Sequence, residues 1–251
     1  MNLLSAYNIN KSFKEKNVLK NVNIEIPKGQ IIGLVGESGS GKTTLAKILV
    51  GLEEANKGQI HFENIEIPKK RSKTLKRKIQ MLFQNSLTSF NPKFTIGSSI
   101  KQFIVEDENF KELPKEEINS LIINYLAEVG LEEEIKDRYP HQVSGGQIQR
   151  ASIARALSCK PSILLADEPS SALDIKSKIQ ILNLFKEVVL KRNLTILIIT
   201  HDILSLKNLC ESLYIMEEGL IVETGKTNEI LQNPKTKYVN RLISAIPKLI
   251  Y

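Results

Sequence analysis

IIGLVGESGSGKTTLAKILV, from Ile31 to Val50, is the stretch that decides the fold. Ile31–Val35 is a short apolar run bounded by glycine, which fits a buried strand. Gly36–Thr43, GESGSGKT, matches G-x-x-x-x-G-K-[ST] in full. Thr43–Val50 continues as a helix. In such a strand–loop–helix unit the glycines let backbone N–H groups converge on phosphate oxygens, and the helix turns its positive end to the same charge. The candidate nucleotide-binding residues are therefore Gly36, Ser38, Gly39, Ser40, Gly41, Lys42, Thr43 and Thr44. Lys42 is placed to reach the β- and γ-phosphates of ATP, and Thr43 to ligate Mg2+. A glycine-rich turn without ligand is the plain alternative, and the strand before it and the helix after it argue against that.

Working outward, Val22–Ile26 alternates and turns at Pro27–Gly29. Gln59–Ile67 alternates as an exposed strand. Lys69–Lys78 is a basic run that reads first as solvated surface. Ile79–Phe83 is another strand, ending at Gln84. From about Leu87 to Arg150 strand signals give way to helical ones. There Ile118, Leu121, Ile122, Tyr125, Leu126 and Val129 recur at helical spacing, with Pro114, Glu116 and Glu117 suiting the helix start. The α/β pattern resumes with a helix over 147–158, a strand over 163–166, a helix over 176–190 and a strand over 195–200. A hairpin over 213–223, turning at Glu218-Gly219, and two short helices complete the chain. Strands separated by helices predict an α/β fold with a mainly parallel sheet, whose ligands sit at the carboxyl ends of the strands.

Several side chains fall at those ends. Ile163–Ala166 delivers Asp167 and Glu168: Asp167 suits the magnesium shell, and Glu168 suits a general base for the attacking water. His201 ends the following strand, where it would act on the γ-phosphate or the water. Gln84 ends its strand at the hinge of the helical segment, where it would touch magnesium or water and report nucleotide state. VSGGQ, Val143–Gln147, opens a helix, which makes Ser144, Gly145, Gly146 and Gln147 a second anion site or an ordinary serine cap. Phe13, upstream of the loop, would stack on adenine or belong to the core.

The 251 residues and 41% apolar content suffice for one large α/β domain, or one with an inserted lobe. The net charge of +7 fits nucleic acid, an anionic membrane surface or an acidic ligand without choosing among them. Cys159 and Cys210 are far apart and cannot make a zinc site by themselves. The N-terminus turns polar too soon for a signal peptide, and no apolar run approaches the length of a spanning helix. A cytoplasmic protein is expected, brought to a membrane only by docking.

Together the motifs resemble the nucleotide-binding subunit of an ATP-binding cassette (ABC) transporter, over nearly the whole chain. Gly36–Thr43 matches Walker A, Gln84 the Q-loop, Val143–Gln147 the signature (usually LSGGQ), Ile163–Glu168 Walker B, Ser171–Asp174 the D-loop with Asp174 at its end, and His201 the switch histidine. The one departure is Val143 for Leu. The resemblance implies a P-loop core of residues 1–87 and 151–251 with an N-terminal antiparallel β subdomain, and an inserted helical subdomain of residues 88–150 carrying the signature, all in one ABC ATPase domain. It implies ATP and Mg2+, and a head-to-tail dimer in which each ATP lies between Walker A of one subunit and the signature of the other.

Finer features are similar to the peptide and nickel importer branch: Met81–Pro92, Tyr139–Leu157 and the tail Glu223–Pro247, with Thr236-Lys237-Tyr238 where His-Pro-Tyr is common. The chain stops soon after, and that short tail leans toward nickel, cobalt, zinc or metal-chelate uptake over di- or oligopeptides. The implied partners are a second, paralogous ATPase subunit, two membrane-spanning permease subunits and an extracytoplasmic substrate-binding protein, with no nucleic acid. The implied location is the cytoplasmic face of the cell membrane. Asn85–Pro92 and the helical lobe would form the docking groove.

Rival readings fit less well. Chromosome-structuring ATPases separate their Walker motifs by long coiled coils, translation-factor types carry two cassettes, and excision-repair types carry zinc modules. A soluble iron–sulfur assembly ATPase is the hardest rival, opposed by the importer-like segments after Gln84 and before Ser144. A P-loop kinase is opposed by SGGQ and SALD.

Overall fold

A computed structural model describes residues 1–171 and 173–244. Ten strands and eight α-helices are assigned among them. The first two strands, β1 (Asn2–Phe13) and β2 (Lys16–Pro27), form a long hairpin. With β4 (Lys57–Phe62) and β5 (Ile65–Glu66) they make an antiparallel sheet in the order β2-β1-β4-β5. Here the structure corrects one reading: Gln59–Ile67 is not one strand. Glu63 and Asn64 take positive φ and turn the chain back on itself, a backbone state that Asn tolerates better than most residues.

The second sheet has six strands in the order β10-β9-β3-β8-β7-β6. Its parallel centre consists of β3 (Ile31–Val35), β6 (Ile79–Leu82), β7 (Ile163–Asp167) and β8 (Thr195–Thr200). β9 (Ser212–Glu217) runs parallel to β3, and β10 (Leu220–Lys226) folds back on β9. The central strands are apolar throughout because both faces are covered. On β7, Leu164 and Ala166 face one core while Ile163 and Leu165 face the other; on β8, Ile196 and Ile198 oppose Leu197 and Ile199 in the same way.

One face packs α1 (Lys42–Val50) and the antiparallel sheet. The other packs the long helices. Between β6 and β7 every assigned element is helical: α3 (Ile96–Val105), α4 (Lys115–Glu128) and α5 (Gly145–Ser158), after the short α2 (Lys73–Lys78) that precedes β6. The α4 periodicity is as expected, and Pro114 stands at its N-cap position. α3 is a helix beyond those expected individually, and its Ile96, Ile100 and Ile104 repeat every four residues and are buried. Residue 150, the expected end of the helical lobe, lies inside the continuous α5. The basic run is not wholly solvated either: Arg71 is buried and donates to the Ile67 and Pro68 carbonyls. α6 (Ile175–Arg192), α7 (Thr227–Gln232) and α8 (Lys237–Ser244) complete the set; residues 245–247 of the tail lie outside the described residues. Among the described residues no helix is long and apolar enough to cross a membrane. Cys159 and Cys210 are free and buried.

Candidate functional site

The loop between β3 and α1 opens onto a cleft of about 780 Å³. Two of its glycines are obligatory on steric grounds. Gly36 packs so closely on the Met216 carbonyl that a Cβ would sit 2.1 Å from that oxygen. Gly41 has φ of 108° and would place a Cβ 2.9 Å from the Val18 carbonyl. Gly41 is also the N-cap of α1 and supplies no side-chain cap, so the first N–H groups of the helix stay available to an anion. Ser38, Gly39, Gly41, Lys42, Thr43 and Thr44 line the cleft. Gly36 and Ser40 stand behind it, with Ser40 buried.

The Lys42 ammonium is folded back and buried. It donates to the carbonyls of Gly36 and Glu37, each at 2.8 Å, and lies 3.4 Å from Ser40 Oγ. Burial lowers its pKa, and the charges of Glu168, Asp167 and Glu37 oppose that. A cation held by neutral carbonyls in this way is poised for phosphate oxygens.

Asp167 and Glu168 arrive from the end of β7. Asp167 Oδ2 accepts from Thr43 Oγ1 at 2.9 Å. Its Oδ1 is buried and has no partner among the described residues. Burial raises the Asp167 pKa, the Thr43 hydroxyl opposing it. The Thr43 hydroxyl and the Asp167 carboxylate, one of whose oxygens is buried without a partner, form a hard-oxygen donor set that fits Mg2+. Glu168 takes φ of 48°, a costly backbone state for a non-glycine residue. Its N–H is anchored to the Ile199 carbonyl at 2.8 Å. Its Oε1 accepts from the His201 backbone N–H at 3.1 Å and lies 2.7 Å from His201 Nδ1. The bent backbone thus aims Glu168 toward the histidine at the end of the next strand. Gln84, Asp167, Glu168 and His201 all line the phosphate cleft.

Part of the wall was not anticipated. Lys16, Asn17, Val18 and Lys20 on β2, and Glu218 and Gly219 at the β9–β10 turn, also line the cleft. The clustered lysines of Lys14–Lys20 were the available signal. Phe13 is not among the lining residues. It closes the β1–β2 hairpin, pairs with Lys16, is 45% exposed, and has the Lys11 ammonium 4.7 Å from its ring centroid.

The signature residues lie elsewhere. Ser144 caps α5 in a reciprocal box: its Oγ accepts from Gln147 N at 3.3 Å, and its own N–H donates to Gln147 Oε1 at 2.9 Å. None of Ser144, Gly145, Gly146 and Gln147 lines the phosphate cleft. Gly145 lines a second groove, with Gln84, Ser86, Leu87, Glu168 and Leu173 among its neighbours. Asp174 caps α6, accepting from Ser177 N and Ser177 Oγ, and those bonds lower its carboxyl pKa.

A phosphate loop, a carboxylate pair facing a histidine and a capped SGGQ helix share one chain, and the family model for ABC transporters matches residues 19–171. The chain belongs to the ABC transporter family. It is 42% identical over 233 residues to the oligopeptide transport ATP-binding protein OppF of Streptococcus pyogenes, covering 91% of this chain and 75% of that protein. It is 40% identical to AmiF, an oligopeptide transport ATP-binding protein of Streptococcus pneumoniae, over 91% and 75% of the two chains. Among solved structures it resembles the ATP-binding cassette MJ0796, described as a dimer bound to ADP and Pi, with a TM-score of 0.81 and 30% identity over 89% of this chain and 98% of that one. It also resembles cbiO1 of Clostridium perfringens, part of an ABC transporter complex, with a TM-score of 0.82 and 28% identity over 91% and 90%. This ABC protein is therefore an ATP-binding, ATP-hydrolysing subunit built on the P-loop α/β fold.

Proposed function

We propose that this ABC subunit powers the uptake of oligopeptides. The relatives support that cargo: OppF and AmiF both carry the oligopeptide name, at 42% and 40% identity over most of the chain. The lean toward metal chelates rested on the short tail and draws no support from these relatives.

Lys42 and the loop amides take the phosphates of ATP. Thr43, Asp167 and Gln84 would hold Mg2+, which would offset phosphate charge when bound. Glu168 accepts a proton from the attacking water, and His201 orients that water or the γ-phosphate. The helical segment 88–150 acts as the lobe that presents Ser144 and Gly146 to the ATP of a second, paralogous subunit, with Asp174 at the same interface. Two permease subunits dock beside Asn85–Pro92 and the lobe at the cytoplasmic face of the membrane, and a substrate-binding protein delivers cargo from outside. The second groove, which joins Gln84 to Gly145, supports a link between nucleotide and lobe.

The test is uptake in cells that lack this subunit. Labelled oligopeptide uptake should fall to background and return when the wild-type chain, but not Glu168→Gln, is restored. Normal peptide uptake alongside lost nickel uptake would return the assignment to metal chelates.

A further inference from the structure

The peptide group that joins Gly36 to Glu37 is held at both ends. Its carbonyl accepts from Lys42 Nζ at 2.8 Å. Its N–H donates to the hydroxyl of Tyr238 at 3.0 Å. That hydroxyl in turn donates to the Met216 carbonyl at 3.5 Å, the same carbonyl that abuts Gly36. A peptide group is a rigid plane, so turning its N–H also turns its C=O. Tyr238 is 5% exposed, and a buried partner lost there is not replaced by bulk water.

We propose that Tyr238 is a positioning residue for Lys42: its hydroxyl fixes the Gly36–Glu37 peptide, whose carbonyl sets where the ammonium sits. The bonds run in series from Lys42 through the peptide to Tyr238 and Met216, an arrangement in which each bond polarises the next. Tyr238 is itself held in register. The buried Glu223 carboxylate on β10 accepts from the N–H groups of Lys235 and Thr236 and from Thr236 Oγ1, which fixes the approach to α8. Thr236 Oγ1 then accepts from Val239 N. The C-terminal segment thus reaches across β9 and β10 to the phosphate loop, which it meets through the phenol oxygen of Tyr238.

The inference rests on the assignment of Lys42 to phosphate, so both are tested together. ATP dissociation constants are measured on the full chain for wild type, Tyr238→Phe, Lys42→Ala and the double variant. Phenylalanine keeps the ring in place and removes only the oxygen. Tyr238→Phe should weaken ATP binding about fivefold, the scale of one hydrogen bond. In the Lys42→Ala background the same change should have almost no effect, a non-additivity that a merely structural role would not produce. Unchanged ATP affinity in Tyr238→Phe, or an equal fold loss with and without Lys42, overturns the proposal. Wild-type affinity in Lys42→Ala instead removes the phosphate-loop assignment itself. Should Tyr238→Phe fail to fold, Glu223→Gln in the same cycle takes its place; a smaller loss that again depends on Lys42 is expected, and no loss, or one independent of Lys42, overturns the tether.

Discussion

The phosphate loop and the signature helix are both glycine-marked helix starts, yet they are finished in different ways. At the phosphate loop, α1 begins at Gly41 without a side-chain cap, and the loop's polar groups look inward to Lys42, Thr43 and Asp167. Its cation is buried, one carboxylate oxygen is orphaned, and a cleft stands open before it. At the signature, Ser144 and Gln147 satisfy each other and the first residues of the helix, Ser144 and Gly145, are exposed; the buried atom without a partner on this helix, Gln149 Nε2, lies further along it. The first region is incomplete without a ligand, whereas the second is complete as a cap and can act only on something outside its own cleft. The two helix starts stay apart within one chain, which fits the proposal that the signature completes the ATP site of a second subunit.

Mutations should separate the halves. The largest effect is expected from Glu168→Gln: hydrolysis should fall by about a hundredfold or more while ATP binding persists, and an ATP-bound dimer should accumulate on size-exclusion chromatography. Normal turnover would remove Glu168 from the base role.

Asp167→Asn tests the orphaned oxygen. Burial raises the Asp167 pKa in the folded chain, so the folded state holds this proton more tightly than the unfolded one. Stability from this group is then lost as pH rises through the acid range toward the raised value, and at neutral pH the buried charge is a cost. The nucleotide-free variant should melt at a higher temperature than wild type at neutral pH. Its ATP affinity should lose its dependence on Mg2+, read by titration with and without EDTA. A lower melting temperature would mean that Lys42 more than compensates the buried carboxylate.

Ser144→Ala should weaken the cap by about 1 kcal/mol in thermal unfolding. ATP binding by the single subunit should stay as in wild type, while dimer-dependent hydrolysis falls about tenfold, the scale of one hydrogen bond to a charged group. Loss of ATP binding in the isolated subunit would place Ser144 in its own cleft and collapse the distinction. The smallest effect belongs to Phe13→Ala. Phe13 sits half exposed at the hairpin end, so adenine stacking predicts about threefold weaker ATP binding, and an unchanged dissociation constant would leave Phe13 without a nucleotide role.

Much of the central sheet was legible because its strands are short, apolar and closed by glycine or polar residues: Ile31–Val35, ending at Gly36, and Thr195–Thr200, ending at His201, agree residue for residue. The antiparallel sheet was less so. Ile60 and Phe62 alternate, as do Ile65 and Ile67, and the three-residue step from Phe62 to Ile65 marks the turn at Glu63 and Asn64 that a single-strand reading passes over. α3 was missed because it lacks charged residues at its start and is capped only by Thr95, a residue equally at home in loops. The walls that β2 and the β9–β10 turn lend to the cleft had only the lysines of Lys14–Lys20 as a local signal, because they depend on which strands become neighbours.

The sequence by itself determined the chemistry: a lysine and glycines for phosphate, an Asp–Glu pair at a strand end, a histidine after the next strand, and a serine cap on a glycine-rich helix. Those are local matters, settled by residue type and spacing. Only the tertiary structure decided how they are aimed. The parallel pairing of β7 with β8 sets Glu168 against His201, and the positive φ of Glu168 completes that approach. The return of the chain from β10 to α8 lays Tyr238 on the amide of Glu37. Residues 37 and 238 meet because strand order and close packing bring them together, and no local spacing encodes that contact.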